Sequence, residues 1–137
     1  MSSRARTKEI IIHCAATPPG MDIGAKEIRA WHMQKGWSDV GYHYVIRRNG
    51  KVDLGRDIMA VGAHAYGHNK ESVGICLVGG VNNDGVPTDN FTPAQWDTLE
   101  HTVNFLMKVF PQSNIIGHNE ISDKACPSFD VREWLRK

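Results

Sequence analysis

The sequence predicts one α/β domain, a mixed central β-sheet of about five strands flanked by helices. Three observations carry this. The chain has 137 residues, enough for a single hydrophobic core, since domains usually run to roughly 100–200 residues. Short β-branched runs alternate with stretches of helical spacing. Between two strand-like segments stands Asn49-Gly50, a tight-turn pair that requires at least one antiparallel pairing in the sheet. No internal repeat, low-complexity tract or linker interrupts the chain. Residues 1–8 read as a short N-terminal arm and 9–137 as the domain.

Residues 9–13, Glu-Ile-Ile-Ile-His, form a short apolar run ending in a polar residue, which predicts a buried strand. Over 25–35, Ile28, Trp31 and His32 recur at helical spacing, and Gly36 is a stop signal. Residues 42–54 predict a hairpin turning at Asn49-Gly50. Residues 73–79, Val-Gly-Ile-Cys-Leu-Val-Gly, predict a central strand covered on both faces. The best-specified element is a helix over 93–110. Thr92 is its N-cap, Pro93 suits the first turn, and Gln95 completes a capping box. Phe91 and Trp96 occupy the hydrophobic-staple positions. Trp96, Leu99, Val103, Leu106 and Phe110 make one apolar stripe, and Pro111 ends it. Residues 114–118 predict another strand. Asp130 with Glu133, and Phe129 with Trp134, repeat the same start signals for a final helix over 131–136.

Composition removes several classes of function. Apolar residues make up 41% and charged residues 23%, which excludes a disordered chain. Sixteen Lys and Arg against fifteen Asp and Glu leave a net charge of +1, which argues against nucleic acid as a partner. No apolar run approaches the roughly 20 residues of a membrane span. Residues 2–8 lead into a strand with no apolar signal region, so no signal peptide is expected. Three cysteines, Cys14, Cys76 and Cys126, are too few for a disulfide framework and point to synthesis in a reducing compartment.

The sharpest chemistry lies in His-Asn-Glu-Ile-Ser-Asp-Lys-Ala-Cys-Pro-Ser, where His118 and Cys126 sit as a strand gives way to a loop. Imidazole and thiolate are zinc ligands, but two do not make a site. His13, at the end of the first strand, is the best third candidate. Cys14 points to the opposite sheet face, because side chains alternate along a strand, so it does not share a metal with His13. Three protein ligands would leave the fourth position open, as in catalytic zinc sites. Spacing alone also fits a hydrogen-bonded loop histidine and an inert buried thiol. Cys76 reads as core. His64 and His68 have helical spacing, but Gly62 and Gly67 argue against a helix there. His32, His43 and His101 read as structural.

Longer stretches add a resemblance. They are Ile-Ile-Ile-His-Cys-Ala-Ala-Thr (10–17), Glu-Ile-Arg-Ala-Trp-His (27–32) and Gly-Trp-Ser-Asp-Val-Gly-Tyr-His-Tyr (36–44). Ser-Val-Gly-Ile-Cys-Leu-Val-Gly-Gly (72–80), Phe-Thr-Pro-Ala-Gln (91–95) and Lys-Ala-Cys-Pro-Ser-Phe-Asp (124–130) follow in order. Across about residues 9–136 the chain resembles the zinc amidases shared by phage lysozymes and peptidoglycan recognition proteins, most of all the phage branch.

The resemblance implies an N-acetylmuramoyl-L-alanine amidase acting on peptidoglycan. It implies a zinc ion held by His13, His118 and Cys126 at the strand ends, in a surface cleft. Tyr42 and Lys124 match the family's catalytic tyrosine and lysine, and His64 matches a histidine lining the cleft. Tyr42 and Lys124 would hold the oxyanion of the tetrahedral intermediate; zinc-bound hydroxide, Tyr42 and His64 all remain candidates for the base. The expected role is a monomeric phage endolysin, made in the host cytoplasm and released to the wall, without membrane or nucleic-acid binding. A wall-binding module without catalysis is the alternative that the intact ligand set argues against. A cytoplasmic wall-recycling amidase is another. Phage lysozymes of this branch also bind and inhibit the phage single-subunit RNA polymerase, a role Arg4, Arg6 and Lys8 could serve, although a frayed, solvated arm is the simpler reading. The two chain ends are where this sequence departs from the family.

Overall fold

The computed structural model describes residues 2–137. Its strands are β1 (Glu9–Cys14), β2 (Tyr44–Ile46), β3 (Val52–Leu54), β4 (Ser72–Leu77) and β5 (Asn114–Gly117); its helices are α1 (Ala25–Gln34), α2 (Pro93–Val109) and α3 (Val131–Leu135). They form one five-stranded sheet in the order β3-β2-β4-β1-β5. Pairing is parallel throughout except for the β2-β3 hairpin. This is the mixed sheet that the sequence predicts.

Alternation along the strands divides the core in two. Ile10, Ile12 and Cys14 of β1, with Val73, Ile75 and Leu77 of β4, face Leu99, Val103 and Leu106 of α2 and Val131 of α3. Val45 and Cys76 face the other side and pack with Ala25 and Ile28 of α1. β1 and β4 occupy the middle of the sheet, and all but Glu9 of their residues are buried. A side chain on β1 is therefore held by strands on both sides.

The helix ends follow the sequence signals. Thr92 Oγ1 accepts from the Gln95 N–H at 3.1 Å, and Gln95 Oε1 accepts from the Thr92 N–H at 3.0 Å. Asp130 accepts from the Glu133 N–H. Two elements differ from expectation. The regular hairpin ladder is confined to 44–46 and 52–54. β5 stops at Gly117, because the Glu120 carboxylate takes the Gly117 N–H at 2.6 Å and turns His118–Glu120 into a 3-10 turn. The N-terminal arm is not frayed. Arg4 is buried with its guanidinium on the Ile58 carbonyl, and Ser3 bridges to Ala60. Arg6 and Lys8 both sit against Glu71.

Candidate metal centre and active site

β1 and β5 end side by side, Ile12 level with Gly117, and each hands one histidine to that edge. In parallel sheets this carboxyl edge is where ligand crevices form. His13 is the penultimate residue of β1, level with Cys76 of β4. His118 opens the turn after β5 and its carbonyl accepts from Ser122 Oγ at 3.0 Å. Cys126 arrives from the following loop. Its sulfur accepts from the Cys14 N–H at 3.2 Å. The loop is fastened just beyond: Ser128, in the left-handed region at φ 73°, donates its hydroxyl to the Gly80 carbonyl at 2.8 Å.

One ligand atom each from His13, His118 and Cys126 lies within 4.8 Å of the other two. His13 Nδ1 stands 3.8 Å from Cys126 Sγ, and the His13 and His118 rings have centroids 4.5 Å apart. His118 Nδ1 is buried and accepts from nothing in the protein. Leaving a buried polar atom unpartnered is costly. Nitrogen and sulfur ligands of a tetrahedral zinc stand about 3.6 Å apart, given their bond lengths, so these donors suit such an ion with little movement. Burial is the main cause that lowers both imidazoles. His64, His118 and Lys124 add to it at His13, and Lys124 then His68 at His118. Both rings are thus neutral, as metal ligands must be. Without a cation, the neighbouring Cys14 thiol and burial push the Cys126 thiol up. A metal entering the site has to displace that proton.

Tyr42 stands beside this cluster, its ring 5.1 Å from that of His13. Burial, then the neighbouring cysteine sulfurs, raise its pKa well above 10, so the hydroxyl stays protonated and serves as a donor. Lys124 is exposed on the loop two residues before Cys126, close enough for its charge to lower both ligand histidines.

Over residues 3–129 the sequence matches the N-acetylmuramoyl-L-alanine amidase family. The chain belongs to it. The amidase is 47% identical over 135 residues to the endolysin of Enterobacteria phage K11, covering 98% of this chain and 89% of that one. It is also 47% identical over 134 residues to the endolysin of Escherichia phage T7, with the same coverage. Among solved structures it is similar to the N-acetylmuramoyl-L-alanine amidase LysC of Clostridium intestinale, at TM-score 0.81 and 29% identity over 93% of this chain and 81% of LysC. The activity is hydrolysis of the amide that joins N-acetylmuramic acid to L-alanine in peptidoglycan.

Of the histidines outside the ligand set, His64 touches it and the others do not. The resemblance puts His64 on the cleft wall, whereas the structure puts it behind His13 and buried, Nδ1 2.8 Å from His13 Nε2 and Nε2 3.2 Å from Ser72 Oγ. His68 turns away to Glu9 at 2.7 Å. His43 lies between the Ala60 carbonyl and the Gly74 N–H, and His32 Nδ1 accepts from the Gly41 N–H. Cys76 is core, and Cys14 faces the α2 side.

Sequence reasoning missed Ser72, Asn69 and Gly74. Asn69 Oδ1 accepts from the backbone N–H of both His64 and Ala65, fixing the turn that carries His64. Gly74 leaves the space on β4 that the His64 ring fills. A glycine inside an apolar strand was the available signal, because it marks close approach from above.

Proposed function

We propose that this amidase is a zinc-dependent endolysin in which His13 Nδ1, His118 Nδ1 and Cys126 Sγ hold the metal. Tyr42 and Lys124 serve the reaction. The observation that carries the metal assignment is the orphaned His118 nitrogen, buried beside a thiol and a second neutral imidazole. Zinc bound there supplies Lewis acidity toward the scissile carbonyl and toward the water that attacks it.

The protein's own groups do the rest. Two neutral imidazoles and one thiolate leave a bound zinc with a formal charge of only +1. The oxyanion of the amide carbonyl therefore needs further stabilisation. The Tyr42 hydroxyl, kept protonated by burial, donates a hydrogen bond to it, and Lys124 adds a full positive charge. A preorganised donor of this kind contributes about 3 kcal/mol, roughly 100–1,000-fold in rate. His64 has both ring nitrogens engaged. It supports His13 and takes no proton from substrate.

The endolysin role draws on the phage relatives, both named for it. Synthesis in the host cytoplasm, release to the wall and action as a monomer go with that role. Among the described residues no helix is long and apolar enough to cross a membrane. Residues 9–137 form the catalytic domain, with the arm docked on it. A polymerase contact through that arm gains no support: Arg4 is buried on Ile58, and Arg6 and Lys8 face Glu71.

Mass spectrometry of digested intact sacculi tests this reading. Free lactyl carboxylates and new alanine amino termini are expected, lost on chelation and restored by zinc. Undiminished turnover after complete metal removal overturns the zinc assignment. Activity confined to soluble muropeptides overturns the lytic role and favours a recycling amidase.

A further inference from the structure

The hydrogen bonds behind His13 run in one direction. Ser72, buried at the start of β4, stands 2.7 Å from the His68 carbonyl. A carbonyl only accepts, so the single hydroxyl proton of Ser72 points there. Toward His64 Nε2, at 3.2 Å, Ser72 Oγ can then only accept. His64 Nε2 must carry the hydrogen, and its Nδ1 presents a lone pair. That lone pair faces His13 Nε2 at 2.8 Å, a gap with room for one hydrogen. His13 Nε2 supplies it. The other nitrogen, Nδ1, is left bare toward Cys126, 3.8 Å away.

We infer that the backbone carbonyl of His68, acting through Ser72 and His64, fixes His13 in the tautomer that leaves Nδ1 free to bind metal, which makes Ser72 a positioning residue of the site. The inference rests on His13 being a ligand. Reversing any link in the chain reverses the next. If Ser72 no longer accepted from His64, His64 could protonate on Nδ1 and donate to His13 Nε2. His13 would then carry its hydrogen on Nδ1, the atom the metal needs. Two features keep the chain in register. Asn69 holds the His64 backbone at 2.8 Å, and Gly74 gives the ring its seat. Partners one step behind a ligand histidine commonly change metal affinity by roughly 10–100-fold.

The test is NMR of the full chain labelled with 15N-histidine, metal-free and zinc-loaded. Long-range couplings report which ring nitrogen carries the proton. The parent is expected to show His13 and His64 both protonated on Nε2, with His13 Nδ1 shifting when zinc is added. Ser72→Ala is expected to show a share of His13 protonated on Nδ1. Its zinc affinity, read by chelator competition, should fall roughly 10–100-fold. A parent His13 protonated on Nδ1 overturns the inference without any variant, so a Ser72→Ala protein that failed to fold would leave it decided. Parental zinc affinity in folded Ser72→Ala also overturns it. If instead zinc binds the parent and the His13 signals do not move, His13 is not a ligand and the proposed metal set fails.

Discussion

Gly74 shapes the site by what it lacks. The His64 ring lies over its Cα, and a Cβ there would fall 2.6 Å from His64 Cγ. Gly74→Ala is therefore expected to push His64 away from His13 and Ser72. Overpacking of this kind costs about 1–3 kcal/mol, read by urea unfolding, and chelator competition should show weaker zinc binding. A variant as stable and as zinc-avid as the parent would remove Gly74 from the account. Tyr42→Phe is expected to keep fold and zinc and to lose roughly 100–1,000-fold in turnover. Lys124→Ala should lose less, because solvent screens an exposed charge. Parental lysis by Tyr42→Phe would end the oxyanion role. The convergence of His13, His118 and Cys126 was legible because ligand chemistry admits few residue types and strand ends display them. The support behind His13 was not, because it depends on which loop lies over which strand. Nothing in the spacing of His64 and Ser72 tells that one ring bridges a ligand and a buried hydroxyl.

At the scale of elements, the start of α2 ties the helix to the sheet. Thr92 Oγ1 accepts from Gln95 and also donates to the Arg48 carbonyl at 2.6 Å. Gln95 is wholly buried, and its Nε2 donates to the Ile46 and Val78 carbonyls at 3.1 and 2.8 Å. Ile46 ends β2 and Val78 follows β4, the strand that pairs with β1. Thr92→Ala should cost about 1 kcal/mol as a lost cap. Gln95→Ala should cost more, since it removes the buried hydrogen bonds to both carbonyls and the one from Arg48 Nη1, at about 1 kcal/mol each. Urea unfolding checks both, and zinc affinity should stay at the parental value; equal losses for the two would mean that Gln95 acts only as a cap. The sequence pattern made the cap readable, as it did the stripe from Trp96 to Leu106. It could not show that the capping glutamine is also a core residue, because the strand carbonyls it satisfies lie 17 and 49 positions away. The turn at His118 was hidden for a similar reason: Asn-Ile-Ile-Gly-His reads as unbroken strand until Glu120 folds back on Gly117.

For the whole molecule, the buried histidines decide how it meets acid. His13, His32, His43, His64 and His118 are all buried, and burial is the leading cause that lowers each. His43 is the clearest case. Its Nε2 donates to the Ala60 carbonyl at 2.8 Å and its Nδ1 accepts from the Gly74 N–H at 3.0 Å, so a second proton has no place to go. Its pKa falls from 6.5 to about 4. As pH drops through 6.5 the unfolded chain takes up a proton that the folded chain refuses, so stability declines from there and levels off near pH 4 for this group. His43 alone accounts for about 3 kcal/mol across that window, and the other four act in the same direction. Urea unfolding of metal-free protein at pH 7.5, 6 and 5 should show the decline, and His43→Asn should make it smaller. Equal stability at pH 7.5 and 5 would show that the buried rings accept protons without cost. Carboxylates cannot produce the same signal, because model carboxyl groups titrate near pH 4. Nor can overall repulsion, since sixteen basic residues face fifteen acidic ones. Stability lost between pH 6 and 5 must therefore come from imidazoles that the fold keeps neutral, since the Cys14 thiol, lowered to about 7, has already taken its proton by pH 6.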